Sequence, residues 1–149
     1  MKYVPLDYNN LEFHVWCDAS FARGDLQTSC GGMICTLSDG ILPVPILWRS
    51  NKIRRVVRST LAGETITCAD SVDRIFPVQQ ISKSLLQRNI PVRVYTDCNS
   101  LVESVREFKR ITEKRLAVDI AALRELLAAG ELSEISWVPT TVQLADALT

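Results

Sequence analysis

The run Val92-Arg93-Val94-Tyr95-Thr96-Asp97 decides the architecture of this chain. It reads as a short apolar strand, and it follows a long stretch in which Leu61, Thr65, Cys68, Ala69, Val72, Ile75 and Phe76 recur at helical spacing. A strand reached through a helical crossover lies parallel to the strand it rejoins. That earlier strand is 11–21, whose run Phe13-His14-Val15-Trp16-Cys17 ends at Asp18, as the later run ends at Asp97. Two parallel strands thus present an aspartate at their carboxyl ends. In open α/β sheets that edge is where ligands bind.

Working outward, a polar turn at Arg23-Gly24-Asp25 leads to a second strand, 29–37, weakened by Gly31-Gly32. Asp39-Gly40 is a hairpin signal, and 41–48 follows as a third strand. Pro43 and Pro45 suit a sheet edge, where a missing N–H costs no ladder bond. These strands make an antiparallel meander. Ser59 or Thr60 is placed to cap the long helix, and Pro77 is expected to kink or split it, with 78–86 continuing helical. A short helix from Asn99 or Ser100 to about Glu107 follows the strand at 92–96. Leu116, Ile120, Leu123 and Leu127 mark a longer helix that stops at Gly130. A fifth strand spans 134–138. Thr140-x-x-Gln143 has capping-box spacing for a last helix carrying Asp146. Residues 1–10, with Pro5, Asn9 and Asn10, read as a connector, and 11–149 as one α/β domain with helices on both faces of a mixed sheet.

At 149 residues and 47% hydrophobic content the chain can bury a core as a single domain. Its 17 basic and 17 acidic side chains cancel, so any attraction to a polyanion must be local. Five cysteines without a C-x-x-C pair, and one histidine, His14, exclude a zinc finger or a His-rich metal site. The cysteines lie in apolar runs, as small buried hydrophobes in a reducing compartment do. No apolar run approaches the roughly 20 residues needed to cross a bilayer, and no secretory signal is present. The expectation is an intracellular domain that does not contact a membrane.

Most acidic residues, Glu103, Glu107, Glu113, Glu125, Glu131 and Glu134 among them, read as solvated charges. Four differ. Asp18 and Asp97 end apolar strands, Glu64 lies on the inward stripe of its helix, and Asp146 is flanked by Leu144, Ala145, Ala147 and Leu148. A carboxylate near a buried stripe is unfavourable unless paired or bound to a metal. Magnesium is a hard ion that takes such oxygen ligands. Two ions about 4 Å apart can stabilise both attacking and leaving oxygens of a phosphoryl transfer. Four close carboxylates also repel one another, so some hold protons until a cation arrives.

Four blocks now carry a resemblance: Asp18-Ala19-Ser20-Phe21-Ala22, Ser59-Thr60-Leu61-Ala62-Gly63-Glu64, Tyr95-Thr96-Asp97-Cys98-Asn99-Ser100, and the segment from Trp137-Val138-Pro139-Thr140 through Gln143-Leu144-Ala145-Asp146 to Thr149. In order and spacing they resemble the ribonuclease H domain of copia-type LTR retrotransposon polyproteins. The resemblance implies a ribonuclease H-like fold with a five-stranded sheet in order 3-2-1-4-5. It implies cleavage of the RNA strand of RNA–DNA hybrids with two Mg²⁺ ions (Mn²⁺ as substitute). It places Asp18, Glu64, Asp97 and Asp146 as catalytic metal ligands: Asp18 bridging, Glu64 and Asp97 on the ion that activates water, Asp146 on the ion at the leaving oxygen. The partners it implies are the hybrid and the reverse transcriptase of the same polyprotein, in a cytoplasmic retroelement particle or the nucleus, with the isolated domain monomeric. Gly63 departs from the helix former expected before the catalytic Glu, Pro77 interrupts the helix, and residues 138–145 contain no catalytic histidine.

The run 49–58 has five basic residues and no acidic one, and it leads into the helix that carries Glu64. Lys52, Arg54, Arg55 and Arg58 are therefore candidate phosphate contacts. Ser20, Asn99 and Ser100 are small enough to approach a hybrid's minor groove. The mixed segment 106–115, with Lys109, Arg110, Lys114 and Arg115, reads foremost as a helix entry. Two rivals remain: a transposase or integrase core on the same fold, and a non-catalytic nucleic-acid-binding or scaffolding domain derived from a retroelement.

Overall fold

The computed structural model describes residues 5–23, 28–107, 111 and 113–149, with the side chains of residues 22 and 23 excepted. Gly24 and Asp25 of the expected turn, and Lys109 and Arg110 of the mixed segment, lie outside the described residues.

β1 (Glu12–Arg23) and β2 (Thr28–Ser38) pair antiparallel, and β3 (Pro43–Lys52) extends the meander at the sheet edge. Between β2 and β3 Gly40 takes φ +87°, while the Asp39 carboxylate accepts the N–H groups of Ile41 and Leu42 at 3.0 and 3.2 Å. β4 (Val92–Thr96) lies parallel to β1, and β5 (Glu134–Trp137) parallel to β4. The sheet order is β3-β2-β1-β4-β5, as expected. The prolines at 43 and 45 lie on the edge strand as anticipated.

One boundary needs correction. β3 reaches Lys52, so residues 49–52 of the basic run belong to the strand expected to end at 48, paired as Met33↔Arg49 through Cys30↔Lys52. An exposed edge strand needs no apolar alternation, and apolar alternation was the signal available.

α1 (Thr60–Leu86) starts at Ser59, whose hydroxyl accepts the Ala62 N–H at 3.1 Å. It is one continuous helix through Pro77, so the helix is not split there. Pro77 and Asp73, whose carbonyl loses its i+4 donor, are both exposed, so water can satisfy that carbonyl. Gly63 does not disrupt the first turn; its N–H donates to the Ser59 carbonyl at 3.1 Å. α2 (Asn99–Arg106) and α3 (Lys114–Ala128) follow, and the chain leaves α3 through Gly130 at φ +72°.

β1 alternates in direction, and its two sides have different fates. Phe13, Val15 and Cys17 face the helices and join Cys68, Val72 and Ile75 of α1, Val92 and Val94 of β4, and Leu116, Ile120 and Leu123 of α3 in one core. His14, Trp16 and Asp18 point the other way; there Trp16 stacks on Tyr95 with ring centroids 4.6 Å apart. The far end of that second face is covered by a 3-10 helix, Leu144–Leu148, which contacts β1 and β2.

Gly31 and Gly32 have a packing role instead of merely weakening β2. A Cβ on Gly31 would lie 2.6 Å from Thr67 Oγ1 of α1, and one on Gly32 would lie 2.9 Å from the Ala145 carbonyl oxygen on the opposite face. The expected capped helix at the carboxyl end is not formed: two 3-10 turns, Thr140–Val142 and Leu144–Leu148, occupy it. Thr140 and Gln143 do not form a capping box. The Thr140 hydroxyl donates to Asp97 Oδ2 at 2.7 Å, and Gln143 Nε2 donates to the Cys17 carbonyl at 3.0 Å.

The described part of the expected connector is tied down. Leu6 packs on the core, and Tyr8, at the start of a 3-10 turn, has its ring beneath the Arg88 guanidinium at 5.2 Å. No described helix is long and apolar enough to cross a membrane.

Candidate active site at the carboxyl ends of β1 and β4

Asp18 lies in β1 on the face away from the helices, where it pairs in register with Gly32. Asp97 follows the last residue of β4. Glu64 comes from the first turns of α1, and its Oε1 accepts the Ala19 N–H at 3.2 Å. Strand end, neighbouring strand end and helix start therefore meet. Asp18, Glu64 and Asp97 each offer a carboxylate oxygen within 4.8 Å of the others. Three of the four expected carboxylates converge.

The fourth, Asp146, is exposed on the Leu144–Leu148 turn and stands outside that close group. It is near enough for its charge to act on Asp18. The expected four-carboxylate cage is thus a tight trio with an outlying fourth member. The 3-10 geometry of the turn, in place of an α-helix, accompanies that placement.

Burial and like charge dominate the electrostatics. Glu64 is only 3% exposed, its Oε2 has no hydrogen-bond partner, and its pKa is pushed up to about 8 by desolvation and then by Asp18 and Asp97. Asp18 is raised as well, first by desolvation and further by Asp97 and Asp146, against the lowering effect of the Thr149 hydroxyl that donates to its Oδ2 at 2.6 Å. Asp97 is better supported. Besides the Thr140 hydroxyl on its carboxylate, its carbonyl accepts the Trp137 indole N–H at 3.0 Å.

This donor set fits a hard divalent cation. It consists of oxygens in close array, and the unmet Glu64 Oε2 is an orphan that a cation would satisfy. The nearby sulfurs do not compete. Cys17 is raised well above the ordinary thiol value by its hydrogen bond with Cys68 and by burial, and burial pushes Cys98 up to about 11. Both remain thiols at neutral pH, and the thiolate is the metal-binding form.

The candidate substrate contacts scatter around this centre. Ser20 is buried near the end of β1, whereas Asn99 and Ser100 are exposed at the start of α2. Asn99 Nδ2 donates to Glu103 Oε1 at 2.7 Å, so its amide is already engaged. Lys52, Arg54, Arg55 and Arg58 are all exposed, and Arg55 pairs with Asp119 of α3 at 3.3 Å. The single histidine is not in the site. It sits on the outer face of β1, 3.3 Å from Glu12 Oε2. Sequence reasoning missed Thr140, Gln143 and Thr149 as supports. The first two were visible only as a capping pattern, and Thr149 carried no signal.

No protein-family profile and no curated protein matches the chain. Solved structures do match. The chain is similar to RNase H1 from the halophilic archaeon Halobacterium salinarum, with 16% identity over 92% of this chain and 93% of that one and a TM-score of 0.69. It is similar to LC11-RNase H1, solved with an RNA/DNA hybrid, with 16% identity over 92% and 93% of the two chains and a TM-score of 0.66. Part of the prototype foamy virus protease–reverse transcriptase also matches, with 15% identity over 99% of this chain and 21% of that one and a TM-score of 0.51. The fold is ribonuclease H-like.

Proposed function

We propose that the domain is a divalent-cation-dependent ribonuclease that hydrolyses the RNA strand of RNA–DNA hybrids. The observation that carries this reading is the convergence of Asp18, Glu64 and Asp97 within 4.8 Å at the carboxyl ends of two parallel strands. The fold likeness to LC11-RNase H1, solved with a hybrid, supports it.

Asp18, Glu64 and Asp97 would hold Mg²⁺, with Mn²⁺ as substitute, and Asp146 would add charge for a second ion from the outlying turn. When bound, such ions polarise the phosphodiester and make water more acidic. The residues of the chain prepare this. Thr140 and Thr149 fix one oxygen of Asp97 and one of Asp18, and the Ala19 N–H fixes Glu64 Oε1, so the remaining lone pairs point where little reorganisation is needed. Burial and the neighbouring carboxylates favour the protonated form of Glu64, and a bound cation would favour its ionised form. With His14 held at Glu12, proton transfer to the leaving oxygen falls to solvent or to a carboxylic acid. The expected ends are 5′-phosphate and 3′-hydroxyl.

The finer assignment rests on the four sequence blocks: a domain of a copia-type retrotransposon polyprotein, acting beside its reverse transcriptase in a cytoplasmic particle. The foamy virus likeness, in which such a fold forms part of a protease–reverse transcriptase, is consistent with that partner. Incubation with labelled RNA–DNA hybrid, double-stranded DNA and double-stranded RNA tests the activity. With Mg²⁺ only the RNA of the hybrid should be cut; equal cutting of DNA would replace the assignment with a transposase-like one, and no cutting would favour a binding or scaffolding domain.

A further inference from the structure

Asp146 is the one expected ligand whose carboxylate nothing holds. It makes no hydrogen bond or ion pair with a described residue, and its charge repels that of Asp18. Its place therefore depends on the backbone of the turn that carries it. That turn, Leu144–Leu148, is a weak frame by itself, because 3-10 bonds have poor geometry and runs longer than three or four residues are uncommon. Two of its backbone bonds, from the Asp146 N–H to the Gln143 carbonyl and from the Thr149 N–H to the Asp146 carbonyl, are 3.4 Å long. Support comes from the sheet. Asp18, Gly32 and Ser50 are direct partners in register across β1, β2 and β3, so they face one side, and the turn lies over that row with Ala145 and Leu148 against Gly32. At the start of the turn the buried Gln143 amide donates to the Cys17 carbonyl at 3.0 Å, on the peptide that joins Asp18, while its Oε1 accepts the Ala145 N–H at 3.3 Å. At the other end the exposed Ser50 hydroxyl donates to the Leu148 carbonyl at 2.5 Å. One strap is anchored on β1 and one on β3, with Asp146 between them.

We propose that Gln143 and Ser50 are positioning residues for the second cation, acting through the backbone of the turn to hold Asp146 where it can share an ion with Asp18. The inference rests on the reading above, in which the trio and Asp146 are cation ligands. Without the straps the turn still carries its carboxylate, but repulsion from Asp18 and fraying of the 3-10 bonds displace it, and an incoming ion must order the turn at the expense of its own binding. That cost falls on the second ion alone, because neither strap touches the carboxylate of Asp18, Glu64 or Asp97.

Titration of the domain with Mn²⁺ in the absence of nucleic acid, followed by the electron paramagnetic resonance of the unbound ion, tests this without turnover. The wild type should bind Mn²⁺ in two steps and Asp146→Asn in one, which identifies the second step. Gln143→Met, close in volume but without the amide, should weaken the second step by about tenfold. Ser50→Ala, at an exposed site, should weaken it severalfold, and both variants should leave the first step unchanged. In the Asp146→Asn background neither substitution should change Mn²⁺ binding further, because both act through that carboxylate alone. A merely structural glutamine would lower the melting temperature in Gln143→Met and leave the two steps in their wild-type ratio. If Gln143→Met does not fold, Ser50→Ala decides the matter. A second step unchanged in Ser50→Ala and in any folded Gln143→Met, or a first step weakened as much as the second, would overturn the proposal while leaving Asp146 a ligand. A single step in the wild type, or two steps in Asp146→Asn, would instead remove the ligand reading of Asp146 and the proposal with it.

Discussion

Glu64 is the residue at which burial and charge oppose each other most directly. Its pKa in the fold, about 8, lies above the ordinary glutamate value, so the folded state binds a proton that the unfolded chain releases. The stabilising contribution of this group is fully present below the unfolded value and is lost as pH rises through about 8. Urea denaturation in EDTA should show stability falling across that window by up to ~1.4 kcal/mol per pH unit from this group, and Glu64→Gln should flatten the profile. A rising profile would contradict the buried, unpaired geometry. Asp97 tests the cluster from its better-supported side. Asp97→Asn should cost at least about tenfold in cleavage, ~1.4 kcal/mol of barrier, while the metal-free melting temperature stays level or rises as one repelling charge disappears. Single-turnover cleavage together with a melting curve would decide it. At this scale the sequence was informative about the acids and silent about their supports. Aspartates ending apolar strands and a glutamate on an inward stripe are visible in one dimension. The hydroxyls of Thr140 and Thr149 become partners of Asp97 and Asp18 only when distant segments meet.

Among the elements, α1 shows why local propensity is a weak guide. Gly63 and Pro77 both argue against a continuous helix, yet the helix spans Thr60–Leu86, held by its inward row Cys68, Val72 and Ile75. A Cβ on Gly63 would meet Val57 Cγ1 at 3.4 Å and Ala19 Cβ at 3.6 Å, which are ordinary contacts. Gly63→Ala should therefore stabilise the domain by about 0.5–1 kcal/mol, read as a shifted urea midpoint with an unchanged slope. A destabilised variant would mean that Val57 or Ala19 cannot accommodate the methyl group. The carboxyl-terminal segment teaches the converse. Thr140 and Gln143 had the spacing of a capping box, but tertiary partners took both side chains, and 3-10 turns formed where a helix was expected. Strand order and the parallel pairing of β1 with β4 were legible because connection rules leave few alternatives. The position of Asp146 was not, because it depends on how those turns dock.

For the whole molecule, a net charge of zero means that affinity for a polyanion must come from a patch. The basic run 49–58 divides on this point. Arg54 and Arg58 are exposed and form no ion pair with a described residue, while Arg55 is engaged by Asp119. Arg54→Ala with Arg58→Ala should lower the log–log salt slope of hybrid binding by about two units, and Arg55→Ala should change it less. An unchanged slope in the double variant would reduce the run to a solvated surface. The paired glycines of β2 have a consequence of their own at this scale. Consecutive residues of a strand face opposite sides, so Gly31 and Gly32 thin the sheet from both directions at one point, with Thr67 of α1 against one and Ala145 and Leu148 of the last turn against the other. The carrier of Glu64 and the carrier of Asp146 are thereby gauged from a single bare stretch of backbone, like the two jaws of a calliper. A methyl group at Gly31 would lie 2.6 Å from Thr67 Oγ1 and one at Gly32 2.9 Å from the Ala145 carbonyl oxygen, so either would force its own jaw open. The spacing between the helix-borne and the turn-borne carboxylate is thus calibrated by two side chains that are not there.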